Sequence, residues 1–119
     1  MPQANVTMNV RRSNDLASCI DIVGDLSSAA EGILMKAYEQ ACTTTTRVII
    51  LNFTGLSYMN SSGIGLLVTL LIRMNHRKQH LLCYGLSEHY RHIFDLTRLS
   101  DVIKIYDTEQ DALAVAQKL

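Results

Sequence analysis

The sequence contains no tryptophan, one proline and no surplus of charge of either sign. Eleven basic residues balance eleven acidic ones, so no net field would draw nucleic acid or an anionic membrane toward the protein. No low-complexity tract interrupts the 119 residues, of which 48% are hydrophobic and 18% charged. This composition predicts one ordered domain over residues 1–119, without direct nucleic-acid contact.

Long hydrophobic runs are also missing. The densest apolar segment, residues 64–72, has about half of the roughly 20 residues that a membrane span needs, and it includes Thr69. The first ten residues, MPQANVTMNV, lack a basic region followed by an apolar one, which is the pattern of an export signal. We therefore expect a cytoplasmic protein with no membrane span.

Cysteine and histidine are too sparse to suggest a metal site or a disulfide framework. Cys19, Cys42 and Cys83 form no CxxC pair and cannot all be paired within the chain, so we expect reduced, buried thiols. His89 and His92 could share a helix face, but no HExxH or Cys/His framework accompanies them. No metal and no cofactor are expected.

One local cluster of positive charge stands out after the densest apolar segment. The simplest interpretation of this cluster is a solvated helix end whose charges complement the helix dipole. Contact with a phosphate or a lipid headgroup is the alternative. The cluster consists of Arg73, His76, Arg77, Lys78 and His80.

The periodicity of apolar residues predicts an α/β fold with a mainly parallel sheet. A strand from Val6 turns at Asn14 and Asp15 into a second strand that ends at Gly24. A first helix follows over 29–41, with Ser27 or Ser28 as its N-cap. Further strands are predicted over 48–53, 80–85 and 101–106, and further helices over 62–76, 87–99 and 108–119, the last of these capped by Thr108.

The stretch SYMNSSGIGLLVTLLIRMN, residues 57–75, places a polar cluster before a dense apolar run. We expect residues 54–62 to be a loop and the helix after it to be buried on more than one side, because apolar residues occupy nearly every face. Only the amino-terminal end of that helix would then be open to solvent.

The polar cluster itself has two interpretations. A serine at a helix start is usually an N-cap, and a cap alone would account for one hydroxyl. Here Asn60, Ser61 and Ser62 precede Gly63, which would remove side-chain bulk where another molecule approaches the backbone. Unpaired amides at the same end favour an anion, including a phosphate on the serine itself. The second interpretation is therefore a phosphorylation switch.

Enzymatic motifs are weak in this region. The GIG at 63–65 begins like the dinucleotide fingerprint GxGxxG, but Val68 stands where the third glycine should be. Neither Ser61 nor Ser62 lies in a GxSxG elbow, and no histidine is an obvious partner for a serine hydrolase. We expect a binding domain with no catalytic residues.

The segment RVIILNFTGLSYMNSSGIGLLVTLL resembles the signature of the STAS family, the anti-sigma-factor antagonists, in which a strand precedes a DSSG motif and a buried helix. The resemblance extends over about residues 5–117, through IDIVGDLSSAAEGIL and the segment from LLCYG to EQDAL. It implies a single α/β STAS domain with a mainly parallel central sheet, an N-terminal hairpin strand and about four helices.

The resemblance also implies a function. A protein of this kind binds an anti-sigma factor with serine kinase activity and frees a sigma factor, until phosphorylation ends the binding and a phosphatase restores it. The phosphorylated residue of the family falls on Ser62. The partner-facing residues implied are Asp25, Ser27, Ser28, Asn60, Ser61, Ser62 and Gly63.

Three positions depart from the family pattern. Asn60 and Ser27 stand where the family has acidic residues, and Arg98 stands where it usually has a glycine, a position that often needs a positive φ. Loss of the two acids leaves an alternative open. The chain would then be a non-phosphorylated STAS scaffold, in a stress-sensing assembly or in a lipid-transport complex.

Overall fold

A sheet of five strands, ordered β1-β2-β3-β4-β5, runs through the middle of the molecule. The computed structural model describes residues 4–119, and in it β1 pairs antiparallel with β2 while all other pairs are parallel. The expected α/β sheet and its amino-terminal hairpin are confirmed. The strands are β1 (Val6–Arg12), β2 (Ala17–Leu26), β3 (Val48–Met59), β4 (His80–Tyr84) and β5 (Lys104–Tyr106); the helices are α1 (Glu31–Ala41), α2 (Ser61–His76), α3 (Glu88–Leu96) and α4 (Glu109–Ala116).

Side-chain turns and caps set several of these boundaries. Asn14 Oδ1 accepts hydrogen bonds from the amides of Leu16 and Ala17 at 2.8 and 3.0 Å, which confirms the predicted turn between the first two strands. Thr108 Oγ1 accepts from the amide of Asp111 at 3.1 Å, so the predicted cap of the last helix is also confirmed. Ser27 makes no capping bond, however, because a 3₁₀ turn over Ser28–Ala30 comes before α1.

The two faces of the sheet are covered unequally. Because side chains alternate along a strand, Ile49 and Leu51 face the layer formed by α1, α2 and α3. Val48 and Ile50 face the opposite way, where α4, alone among the described helices, packs through Ala112 and Ala116. Burial of β3 on both faces explains why its first half is a continuous apolar run.

Helix α2 is buried on one face only, so the expectation of burial on several sides is wrong. Val68 is 38% exposed and Ile72 is 54% exposed, because no other described element covers the outer face of α2. Within residues 4–119, no helix has both the length and the apolar character needed to cross a bilayer. The buried side chains of α2 are those of Leu66, Leu67, Leu70 and Met74.

Two strands are longer than the sequence indicated. The segment 54–62 was expected to be a loop, but β3 continues to Met59, and β2 continues past Gly24 to Leu26. The two extensions pair with each other after register shifts between Asp21 and Val23 and between Gly24 and Asp25. These irregularities break the period-2 pattern, so polar residues that belong to a strand resemble a loop in the sequence.

The cysteines are unpaired thiols, as expected. Cys19 and Cys83 are buried and Cys42 is half-buried, and all three are reduced. Burial raises the pKa of Cys83 to about 12, and burial likewise raises that of Cys19 to about 12. Buried, protonated thiols of this kind are inert structural side chains.

A charged cluster fastens α4 to the first two strands. Arg11 Nε lies 2.7 Å from Asp21 Oδ2, and Arg11 Nη2 lies 2.7 Å from Glu109 Oε1 at the start of α4. Tyr84 donates to Glu109 Oε1 at 2.7 Å, and Asn52 donates to Asp21 Oδ1 at 2.8 Å. Both carboxylates are therefore engaged, and the cluster adds polar contacts to the apolar packing that holds α4 on the sheet.

This cluster predicts a dependence of stability on acid pH. Chiefly through its hydrogen bond from Arg11, Asp21 has its pKa lowered from 3.8 to about 2, and the pKa of Glu109 is lowered for the same reason. A depressed folded-state pKa contributes stability that is present above the unfolded pKa and is lost as pH falls through the folded one. We expect Asp21 to contribute about 2 kcal/mol that disappears between about pH 4 and pH 2.

Urea unfolding followed by circular dichroism across that pH range measures the effect. Asp21→Asn should show a shallower loss of unfolding free energy with acid than the parent chain. Asp15→Asn, at an exposed position with no ion pair among residues 4–119, is the matched control and should keep the parent slope. Identical slopes for the parent and Asp21→Asn would contradict the assignment.

The end of α3 yields a second prediction. Arg98 has φ 64°, so the position does require the left-handed conformation, and the arginine adopts it. Glycine adopts this conformation with less strain than alanine or arginine. Arg98→Gly should therefore melt about 4 °C above Arg98→Ala, since both lose the same exposed contact to Asp101. Equal Tm values for the two variants would show that the backbone carries no strain there.

Candidate functional site

The predicted site residues meet where β2 and β3 end. In the paired extensions, Asp25 lies opposite Tyr58 and Leu26 lies opposite Met59. The amide of Asn60 donates to the carbonyl of Leu26 at 3.3 Å, which continues the pairing to the start of α2. The structure thus brings the segment from Asp25 to Ser28 beside the segment from Asn60 to Gly63.

Asn60 is the N-cap of α2. Its backbone is extended, with φ −102° and ψ −176°, and its side-chain Oδ1 accepts a hydrogen bond from the amide of Gly63 at 2.9 Å. Its carbonyl accepts the first helical bond, from Ile64, at 3.1 Å. The capping interpretation of the serines is therefore wrong, because an asparagine performs that role.

Both serines lie in the first turn of α2 with uncommitted hydroxyls. Ser61 and Ser62 are exposed, and within residues 4–119 neither side chain makes a hydrogen bond. Their backbone amides precede that of Ile64, the donor of the first helical bond, so these two amides lack a partner within the helix. The geometry leaves two hydroxyls and two amides available at one helix end, and it does not by itself distinguish between the two serines.

Gly63 is needed for internal packing and not for access. The residue is buried, and a Cβ at this position would overlap the carbonyl oxygen of Leu26 and lie 3.0 Å from Cγ of Met59. The expectation that glycine leaves space for another molecule is wrong, since the end of β2 fills that space. What Gly63 does is let the first turn of α2 sit directly on β2, with the serines pointing outward.

The start of α2 differs electrostatically from the other helix starts. The first turns of α1, α3 and α4 contain Glu31, Glu88 and Glu109 respectively, whereas the first turn of α2 contains no acidic residue. The partial positive charge of this helix end is therefore not offset by a side chain of its own. The carboxylate beside it belongs to Asp25, which accepts a hydrogen bond from Asn5 Nδ2 at 3.1 Å.

Two exposed apolar side chains lie near the ends of β2 and β3, and sequence reasoning missed both. Tyr58 is 52% exposed in the extension of β3, two residues before Asn60, and Val23 is 53% exposed in β2, where it pairs with Gly55. The sequence pattern predicts a loop over 54–62, so it does not place Tyr58 in a strand. The signal available in the sequence was an aromatic residue two positions before Asn60.

The end of β3 is held from the side by α3. The amide of Met59 donates to the hydroxyl oxygen of Tyr90 at 2.9 Å, a buried contact directly before Asn60. In the described part of the chain no histidine is hydrogen-bonded to Ser61 or Ser62, so the geometry offers no activated nucleophile. Both hydroxyls are open to solvent at this end of α2.

Comparison with known proteins agrees with this architecture. Residues 7–112 match the family described as STAS domain. The chain is 26% identical over 105 residues to an anti-sigma-B factor antagonist of Listeria monocytogenes, an alignment that covers 88% of this chain and 92% of that protein.

Two solved structures share the fold. One is the anti-sigma factor antagonist SpoIIAA in its unphosphorylated form, with TM-score 0.70, 23% identity and coverage of 95% of this chain and 100% of that one. The other is the Bacillus cell fate determinant SpoIIAA in the phosphorylated form, with TM-score 0.65, 22% identity and coverage of 91% and 97%. Since the family match spans most of the sequence, the chain belongs to the STAS domain family.

Proposed function

We propose that this domain is an anti-sigma factor antagonist: it binds an anti-sigma factor with serine kinase activity, frees a sigma factor, and is released when Ser62 is phosphorylated. The observation that carries the proposal is the pair of exposed, unbonded serine hydroxyls on the first turn of α2. The relative from Listeria monocytogenes, which aligns with 88% of the chain, supports the same role.

The surface around the serines has the composition of a protein-binding site. Tyr58 supplies exposed apolar area two residues before Asn60, and Val23 supplies more on the neighbouring strand. Ser27, Ser28 and Asn60 supply neutral polar groups around them. Aromatic side chains at such positions commonly carry much of the binding energy, and polar neighbours exclude water around them.

Phosphorylation would change this surface without refolding the domain. A phosphate adds about 1.5 to 2 negative charges, which a contact surface fitted to a neutral hydroxyl must desolvate. Asp25, close by, adds repulsion within the same surface. The uncompensated start of α2 tolerates the phosphate within the domain itself, so the effect falls on the partner.

The covalent step is an ordinary phosphoryl transfer. Ser62 Oγ forms a bond to the γ-phosphorus of ATP, the bond from that phosphorus to the bridging oxygen breaks, and ADP leaves. The hydroxyl proton passes to a base of the anti-sigma factor kinase. A phosphatase that hydrolyses phospho-Ser62 returns inorganic phosphate and restores the hydroxyl.

The proposed switch does not require acidic residues at positions 60 and 27. Asn60 caps α2 through its amide oxygen, as a carboxylate there would, so the helix start needs no charge at this position. A carboxylate is still present on the surface in Asp25, although Ser27 replaces the family's acid. The switch is therefore preferred to the role of a non-phosphorylated scaffold.

Substitution of Ser62 tests the switch directly. Ser62→Ala removes a hydroxyl and should keep the affinity for the anti-sigma factor within about fivefold, the equivalent of one hydrogen bond. Ser62→Asp places a charge in the interface and should weaken binding about 30-fold or more. Titration calorimetry with the anti-sigma factor from the same genome measures both values.

Ser61→Ala is the matched control, one residue away in the same helical turn. Incubation with the anti-sigma factor kinase and ATP, followed by mass spectrometry, should show a phosphopeptide in this variant and none in Ser62→Ala. Equal affinities of Ser62→Ala and Ser62→Asp would argue against the switch. An unmodified parent chain that instead co-purifies with a large assembly would favour the scaffold.

The exposed tyrosine gives an independent test of the binding surface. Tyr58→Ala should lower affinity for the anti-sigma factor about 30-fold or more, because truncation of a central aromatic residue is typically costly. Leu96→Ala is a suitable control, since Leu96 is 69% exposed at the far end of α3. Circular dichroism should show both variants folded. If the two substitutions had the same effect on affinity, Tyr58 would lie outside the interface.

A further inference from the structure

A cavity lies at the opposite end of the sheet from the serines. The strands β2, β3 and β4 are parallel, so their amino ends meet at one edge, away from the edge where α2 begins. The cavity at this edge has a volume of about 370 Å³. Its walls are formed by Leu16, Arg47, Lys78, His80 and Leu119.

Two of these residues, Arg47 and Lys78, are cations, and His80 adds an imidazole. Among residues 4–119, no carboxylate lies within ion-pair distance of Arg47, Lys78 or His80. Several other arginines of the chain do have such partners; they are Arg11, Arg77, Arg91 and Arg98. Among the described residues, the positive charges of Arg47 and Lys78 are therefore left without a paired side-chain carboxylate.

In the structure, the members of the basic cluster seen in the sequence have three different surroundings. Arg73 and His76 lie in the last turn of α2, where they complement the helix dipole. Arg77 stacks over the ring of Tyr38 at 5.3 Å. Lys78 and His80 turn instead toward Arg47, which is distant in sequence and which the sequence did not group with them.

The loop that carries Lys78 and His80 is held in place by a buried glutamine. Gln79 is 7% exposed; its Oε1 accepts from the hydroxyl of Tyr38 at 2.6 Å, and its Nε2 donates to the carbonyl of Thr46 at 3.2 Å. The amide of His80 donates to the carbonyl of Arg47 at 2.8 Å. These bonds fix the backbone of the cationic residues before any ligand arrives.

Lys78 occupies a backbone conformation that glycine or asparagine adopts more easily. Its φ is 58°, in the left-handed region. Side chains held in this region are sustained by the surrounding structure, and they are often found at functional positions. At position 78 this conformation places a lysine in the cavity wall, although an uncharged glycine or asparagine would adopt the same backbone with less strain.

We propose that Arg47, Lys78 and His80 bind a phosphate monoester group. A guanidinium can bond two phosphate oxygens at once, and an ammonium and an imidazole supply further donors to the third. Leu16 and Leu119, 45% and 49% exposed at the rim, would contact the organic part of the ligand. The site is separate from the serine end, so it does not depend on the proposed switch.

A phosphate monoester could come from a soluble metabolite or from a lipid headgroup, and one probe represents each source. Glycerol 3-phosphate represents a soluble phosphate ester, and phosphatidic acid in phosphatidylcholine vesicles represents the same group on a membrane surface. Calorimetry with the first and vesicle co-sedimentation with the second both use the complete chain. Vesicles of phosphatidylcholine alone serve as the baseline.

Arg47→Gln and Lys78→Asn are the informative variants, and asparagine suits the left-handed backbone at position 78. Each should weaken binding about tenfold for whichever of the two probes the parent chain binds, since each removes charge-assisted hydrogen bonds. Lys36→Gln, an exposed lysine on α1 with no ion pair among the described residues, is the control of equal charge change and should bind as the parent does. Tm values verify that all variants fold, and His80→Gln replaces any that does not.

The outcomes separate cleanly. Binding of glycerol 3-phosphate that the cavity variants lose supports a soluble ester as ligand. Binding only to vesicles that contain phosphatidic acid, again lost in the cavity variants, supports the lipid headgroup. Absence of binding to both probes would overturn the proposal, and so would an equal loss in Lys36→Gln, because attraction would then follow net charge and not this cavity.

Discussion

The carbonyl oxygen of Leu26 is the contact on which the arrangement of this domain depends. It accepts the amide hydrogen of Asn60, and it lies where a side chain of Gly63 would otherwise be. Helix α2 can therefore start directly on the end of β2, with its first turn facing outward. Without that close approach the helix start would move away from the sheet, and Ser61 and Ser62 would no longer share a surface with the end of β2.

Although the net charge of the chain is balanced, acidic and basic residues are distributed unequally between the two edges of the sheet. Eleven acids and eleven bases cancel overall, but α1, α3 and α4 all begin with glutamates, and helices that follow parallel strands begin at the carboxyl edge of the sheet. The uncompensated bases Arg47 and Lys78 lie at the other edge. Under the proposed switch, a phosphate on Ser62 would be added at the edge where these glutamates lie, away from Arg47 and Lys78.

Sequence reasoning recovered the order of strands and helices well because period and turn chemistry are local. Asn14 and Thr108 were identified by the bonds that such residues make to nearby amides, and both bonds are present. The sequence pattern is misleading where pairing between strands distant in the chain decides the local structure. The polar stretch before Asn60 is a strand only because β2 extends alongside it through two register shifts. The apolar residues Val68 and Ile72 of α2 are exposed because no element among residues 4–119 covers that face.

By itself, the sequence determined the α/β class, the serine-bearing helix start and the membership suggested by the SSGIG motif, since these follow from composition, periodicity and a short contiguous segment. Only the tertiary structure decided that Asn60 is the cap, that Gly63 is buried against Leu26, and that Tyr58 is an exposed strand residue. It also decided that Arg47 and Lys78 line one cavity. The Asn60 cap is a bond across three residues, but the other features depend on residues far apart in the chain, whose proximity is set by strand register and helix packing.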